Sequence, residues 1–196
     1  MNIDLSKYTG LIFDLDGTLI NTECAHNYAW QQAMAKHGLV FDANLRNKIG
    51  GAPSLFMAQT FLNANNSDLP AEQLVREKNK ILPEVLLDKS QTLPLVELVK
   101  AQYGKKKMAV GTGSDRDVAL SVLNHFDLVR YFDAIVSSND VTKHKPAPDT
   151  FLKCAHLLTL QPTQCLVFED ADFGVQAAKA GNMDVFDVRL GTIALA

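Results

Sequence analysis

The chain has 196 residues, room for one domain with a small insertion, and its 47% hydrophobic and 21% charged composition allows a buried core and excludes disorder. A net charge of −3, with no cationic run longer than Lys105-Lys106-Lys107, excludes a surface built to hold a polyanion, so no nucleic-acid partner is expected. No stretch approaches the roughly 18 consecutive apolar residues of a membrane span, and the first residues lack a secretory start, so the sequence reads as cytoplasmic with no membrane partner.

The first predicted strand, 11–14, ends in Asp14-Leu15-Asp16-Gly17-Thr18. From 22 to 87 no strand pattern follows. Several helices do, one of them starting at Pro70, and the polar stretch 63–68 is a loop between helices. Met34, Phe56 and Phe61 fall on helical spacing and are expected to fill the core of this insertion, as is Trp30. Beyond it, Pro94 opens a helix, and strands are predicted at 108–110, 132–136, 165–168 and 183–186. Helices starting at Asp115 or Asp117, at Asp149 and at Asp172 separate them, the last ending at Gly181. Alternating strands and helices imply an α/β fold with a parallel sheet core flanked by helices. The linkers near Ile20-Asn21 and 90–93 join that core, residues 1–20 and 91–196, to a small inserted all-helical cap domain, 21–90, able to close over a site. Cys24, Cys154 and Cys165 form no CxxC pair and read as small buried hydrophobes.

The chemistry-bearing residues fall at strand ends. In a parallel sheet ligands bind beyond the carboxyl ends of the strands, which is where Asp14 and Asp16 emerge. Asp16-Gly17 alone is also a common turn. A calcium loop counted from Asp14 would need glycine at its sixth position, where Leu19 stands. Glu169-Asp170 ends a later strand on the same edge, and four carboxylates there would repel one another unless a hard divalent cation such as magnesium sat among them. Asp172 reads instead as a helix cap. Gly111-Thr112-Gly113-Ser114 lets the backbone approach an anion while its hydroxyls donate, and it matches neither the P-loop nor the dinucleotide fingerprint. Pro146 restricts the backbone of Lys145, a lysine able to neutralise a phosphoryl group. Carboxylates, hydroxyl, lysine and metal together describe phosphoryl transfer. Asp14 would attack phosphorus, and Asp16 would protonate the leaving alkoxide and then activate water.

With these four motifs in order, the chain resembles the haloacid dehalogenase superfamily, with its Rossmann-like core, over nearly its whole length. The resemblance implies Asp14 as nucleophile, Asp16 as general acid and base, and Thr112 and Lys145 as phosphoryl binders. It further implies that Asp14, Asp16 and Asp170, assisted by Glu169, hold the metal. The helical insertion is similar to the cap of the β-phosphoglucomutase-like branch, and the motif sequences most resemble its fructose-1-phosphate and 6-phosphogluconate phosphatases. Gly17, Gly113, Ser114, His26, Gly51 and Lys78 would then line the substrate, although Lys78 on its charged helix also reads as a solvated residue. Asn21 stands where an acidic residue is common, and His144 where a small one usually precedes the lysine. The expected activity is magnesium-dependent hydrolysis of small sugar phosphates, with no obligate protein partner. A phosphosugar mutase shares every core motif, but the loop Gly50-Gly51-Ala52-Pro53-Ser54 lacks the arginine with which mutases grip a distal phosphate. A phospho-accepting receiver module is a third reading, disfavoured because its acceptor lies on a later strand.

Overall fold

The computed structural model describes residues 3–50 and 52–196. Strand β1 (Gly10–Phe13) is buried along its whole length, as a central parallel strand covered on both faces must be. It pairs in parallel with β4 (Lys107–Gly111) on one side and β6 (Cys165–Glu169) on the other, with Phe13 opposite Val110 and Phe168. Strands β5 (Ala134–Val136), β7 (Asp184–Asp187) and β8 (Thr192–Ala194) complete a six-stranded sheet in the order β5-β4-β1-β6-β7-β8, in which only β8 is antiparallel. One apolar cluster lies on each face. Phe13 stacks on Phe168 at 4.6 Å within the first, and Phe151, Cys154 and Met183 fill the second.

Ile20 and Asn21 (β2) pair antiparallel with Gln91 and Thr92 (β3), so both linkers run together as one two-stranded ribbon. Between them lie α1 (Glu23–Ala35), α2 (Ala43–Lys48), α3 (Ser54–Ala64) and α4 (Ala71–Leu86). Asp42 caps α2 by accepting from the amides of Asn44 and Leu45, and Pro70 precedes α4. These helices bury their own cluster around Trp30, Met34, Phe61 and Leu74. The core helices α5 (Leu95–Gln102), α6 (Arg116–His125), α7 (Asp149–Leu157) and α8 (Asp172–Ala180) begin at or one residue from the expected positions.

Four details differ from the expectations. Phe56 is half-exposed, its ring meeting Phe173 of α8 at 6.1 Å instead of joining the cluster that Met57, Ala58, Phe61 and Leu62 of α3 fill. Cys24 is exposed at the start of α1, whereas the other two thiols are buried. Strand β5 begins at Ala134, since a 3-10 turn holds Val129–Tyr131 and the Asp133 carboxylate accepts from the Met108 amide at 2.8 Å. The unexpected β8 is an edge strand with no fully buried residue, so it carries little apolar signal.

Candidate active site

Asp14 is the first residue beyond β1, and its amide donates to Phe168 at 3.0 Å, so sheet pairing holds it in place. Lys145 reaches it from the loop before α7 and donates to Asp14 Oδ1 and Glu169 Oε2, both at 2.7 Å. All three side chains are buried. Burial works against the Lys145 charge, but Asp14 and Glu169 outweigh it and keep the lysine protonated well above the usual range. Glu169 spends its other oxygen on the amides of Asp170 and Ala171, at 3.1 and 3.0 Å, which fixes the turn into α8. A Cβ at Gly174 would overlap the Glu169 carboxylate, so that close approach requires glycine. Gly17 carries φ +90°, and a Cβ there would run into Asp170.

Carboxylate oxygens of Asp14, Glu169 and Asp170 lie within 4.8 Å of one another. Burial and then the neighbouring Glu169 charge push Asp14 well above the ordinary carboxylate range and Asp170 up to about 7. An all-oxygen set that crowded suits a hard divalent cation, whose charge would favour the ionised forms of Asp14 and Asp170. Thr18 donates to Asp170 at 3.2 Å and steadies it.

The Asp16 carboxylate turns away from that cluster. It accepts from Thr22 at 2.6 Å, from Ser114 at 2.6 Å and from Thr112 at 3.3 Å, and His26 Nε2 stands 3.6 Å off. Burial opposes its charge, but the imidazole and the hydroxyls win and hold it ionised well below the usual range. The Thr112 hydroxyl also accepts from the Ser114 amide at 3.0 Å, which ties the glycine-rich loop to the Asp16 wall.

Both walls open on one cavity of about 280 Å³ roofed by the cap helices. Gly17, Gly113 and Ser114 line its floor and His26 its side, and Lys78 reaches in from α4. Gly50 lines it as well, whereas Gly51 lies outside the described residues. Lys78 is buried rather than solvated. Its ammonium lies 5.6 Å from the centre of the Trp30 ring, and burial brings its pKa down to about 8. Trp30 both packs edge-on against Phe61 and borders the cavity. The sequence reading did not single out Thr22 or Arg46. Thr22 follows the linker strand four residues before His26, a placement that could have drawn attention to it. Arg46 enters the cavity from α2, four residues before the loop in which an arginine was looked for.

A parallel sheet whose strand ends carry this acidic cluster, lysine and hydroxyl loop beneath a helical insertion defines a phosphoryl-transfer enzyme. Residues 11–188 match the model of the haloacid dehalogenase-like hydrolase family, and the chain belongs to that family. Over 184 residues, 94% of this chain and 98% of the relative, it is 48% identical to the fructose-1-phosphate phosphatase YqaB of Escherichia coli. It is 28% identical to a phosphorylated carbohydrates phosphatase of Thermotoga maritima, over 89% of this chain and 82% of that protein. A crystal structure of β-phosphoglucomutase from Clostridium difficile superposes with a TM-score of 0.79 at 26% identity, covering 92% of this chain and 84% of that one. Family and named relatives mark the chain as a phosphoric monoester hydrolase that acts on small phosphorylated molecules. No helix among the described residues is long and apolar enough to cross a membrane.

Proposed function

We propose that the protein is a magnesium-dependent phosphatase of small sugar phosphates, of the kind represented by fructose 1-phosphate or 6-phosphogluconate, working in the cytoplasm. In this reading residues 21–90 cap a core made of 1–20 and 91–196. The observation that carries it is the pairing of two differently held carboxylates two residues apart: Asp14, pinned by Lys145, and Asp16, ringed by hydroxyls.

With Asp14 Oδ1 taken by Lys145, Oδ2 is the oxygen left to attack phosphorus. As the Asp14 O–P bond forms, the P–O bond to the sugar breaks and Asp16 gives its proton to the leaving alkoxide. In the resting site Asp16 is held ionised, so it must take up that proton first. A phosphoryl group beside it raises its pKa, and its hydroxyl donors are free to turn toward the phosphoryl oxygens instead. In the second half, Asp16 removes a proton from water, the water oxygen bonds to phosphorus, and the bond to Asp14 breaks to release phosphate. Lys145 and the Thr112 and Ser114 hydroxyls face the charge that spreads over the phosphoryl oxygens. Of the expected metal ligands Asp14, Asp16, Asp170 and Glu169, the Asp16 carboxylate is taken up by hydroxyls, so magnesium would be held by Asp14 and Asp170 with Glu169 supporting them, and would neutralise part of that charge.

Phosphorus NMR of the protein with magnesium tests the reading. Free phosphate released from fructose 1-phosphate or 6-phosphogluconate supports it. Conversion of β-glucose 1-phosphate, with a trace of its bisphosphate, to glucose 6-phosphate without phosphate release would replace it with a mutase.

A further inference from the structure

The carboxyl end of β7 carries a chain of ion pairs that takes no part in the proposed chemistry. Asp187, the last residue of β7, stands opposite Glu169, the last residue of β6, in the parallel pairing. Its buried carboxylate accepts from Arg189 twice, from Nε at 3.0 Å and from Nη2 at 2.6 Å. The same guanidinium reaches on through Nη1 to Asp172 at 2.8 Å. Asp172, expected from the sequence to cap α8, is instead the first residue of that helix, whose N-cap position is Ala171 and has no side-chain capping bond. The Asp172 carboxylate goes to Arg189.

This chain of pairs ends two residues from Asp170. Only Asp170 and Ala171 connect β6 to α8, so the place of the Asp170 carboxylate follows from how the two ends of that connection are held. Its strand end is fixed by the sheet: the Val188 amide donates to the Glu169 carbonyl at 2.9 Å, and Glu169 Oε1 accepts from the amides of Asp170 and Ala171. At the helix end the tie is Arg189 on Asp172. Because Arg189 is already locked on buried Asp187, it has little freedom left to lose in reaching Asp172, unlike a pair of two free surface side chains. The Arg189 and Asp172 side chains are 42% and 74% exposed, so water screens their charges from the acidic cluster and the pair acts mainly through geometry.

We infer that Arg189 is a positioning residue for the divalent cation: anchored on Asp187, it holds the start of α8 through Asp172 and so keeps Asp170 within its cluster with Asp14 and Glu169. This deepens the magnesium reading and rests on it.

The test measures magnesium binding by calorimetry without substrate, so that it is read apart from turnover. In Arg189→Gln the shorter side chain can still donate to Asp187 but cannot also reach Asp172, and the magnesium Kd should rise about 3- to 10-fold. That is less than the roughly 10- to 100-fold of a direct partner of a metal ligand, because Arg189 acts one link further out. Asp172→Ala cuts the same tie from its other side and should have the same effect, with Asp172→Asn falling between it and the intact protein. The Arg189→Gln/Asp172→Ala double variant should bind no more weakly than the weaker single variant. With magnesium saturating, kcat and the KM for sugar phosphate should stay within about 2-fold of those of the intact enzyme. Tighter binding in Arg189→Gln with weaker binding in Asp172→Ala would mark an effect of charge alone and overturn the inference. An unchanged Kd in either variant, or a loss of kcat that saturating magnesium does not restore, overturns it as well and leaves the magnesium reading standing. Absence of magnesium binding to the intact protein overturns the magnesium reading itself, and the inference with it.

Discussion

Two lysines at the same site, both almost wholly buried, are treated in opposite ways. Lys145 on the core side is held by two carboxylates at 2.7 Å each, whereas Lys78 on the cap side rests over an indole ring with no carboxylate paired to it among the described residues. The surroundings push the first pKa up and the second down, to about 8. The core wall is complete before substrate arrives, as suits a group present in every substrate. The cap wall is left unsatisfied, as suits a group that varies. Core substitutions should therefore affect all substrates together, and cap substitutions should change the choice among them.

The largest expected effect is on the core side. Asp14→Asn keeps the shape of the side chain and removes the proposed nucleophile, so phosphate release should fall on the order of 10⁴-fold or more for every ester. A loss confined to some esters, measured by steady-state phosphate release, would break the division between the walls. Lys145→Met comes next. It leaves Asp14 and Glu169 buried without their counter-charge, which should cost about 3–5 kcal/mol of stability in urea denaturation. Metal addition follows. Magnesium at 100 times its Kd should stabilise the protein by about 2.7 kcal/mol, and Asp170→Asn should remove most of that gain. An equal gain in that variant would place the ion elsewhere.

How legible each wall was in the sequence follows the same division. Asp14, Thr112, Lys145 and Glu169-Asp170 each follow a short apolar strand or stand before a helix, so topology alone predicts that they meet, and the structure brings them together, with Lys145 bonded to two of the carboxylates that line the cavity. The strand-and-helix order was readable for the same reason. The cap was read as helices with a core, but helical spacing does not say which residues at the edge of an apolar face end up covered. Phe56 therefore turned out half-exposed, and Lys78 on its charged helix turned out buried. Arg46 was invisible because its position depends on where a six-residue helix capped by Asp42 aims, which its sequence does not state. The direction of Asp16 was hidden for a related reason. Spacing puts it near Asp14, but the Thr22 and Ser114 hydroxyls decide that it faces away from the acidic cluster.

Lys78→Met is the smallest of these effects and the sharpest test of the contrast, because its sign is opposite to that of Lys145→Met. An ammonium that titrates near 8 in the folded protein and near 10.5 in the unfolded chain destabilises the fold by roughly 3 kcal/mol at neutral pH. Methionine fills similar volume without the charge but gives up the contact with Trp30, so the variant should be more stable than the intact protein by about 2 kcal/mol at pH 7. The pH dependence follows from the depressed pKa. Below 8 both states of the intact protein carry the proton and the penalty is full. Between 8 and 10.5 the folded protein sheds the proton while the unfolded chain keeps it, so intact-protein stability rises with pH and the advantage of Lys78→Met shrinks. Asp16, Asp115, Arg46 and His26, the charged and titratable groups around Lys78, remain in both proteins, so the difference between the two urea midpoints largely isolates Lys78. A variant less stable than the intact protein at pH 7 would mean that Lys78 has a counter-charge after all, and the two walls would then be alike.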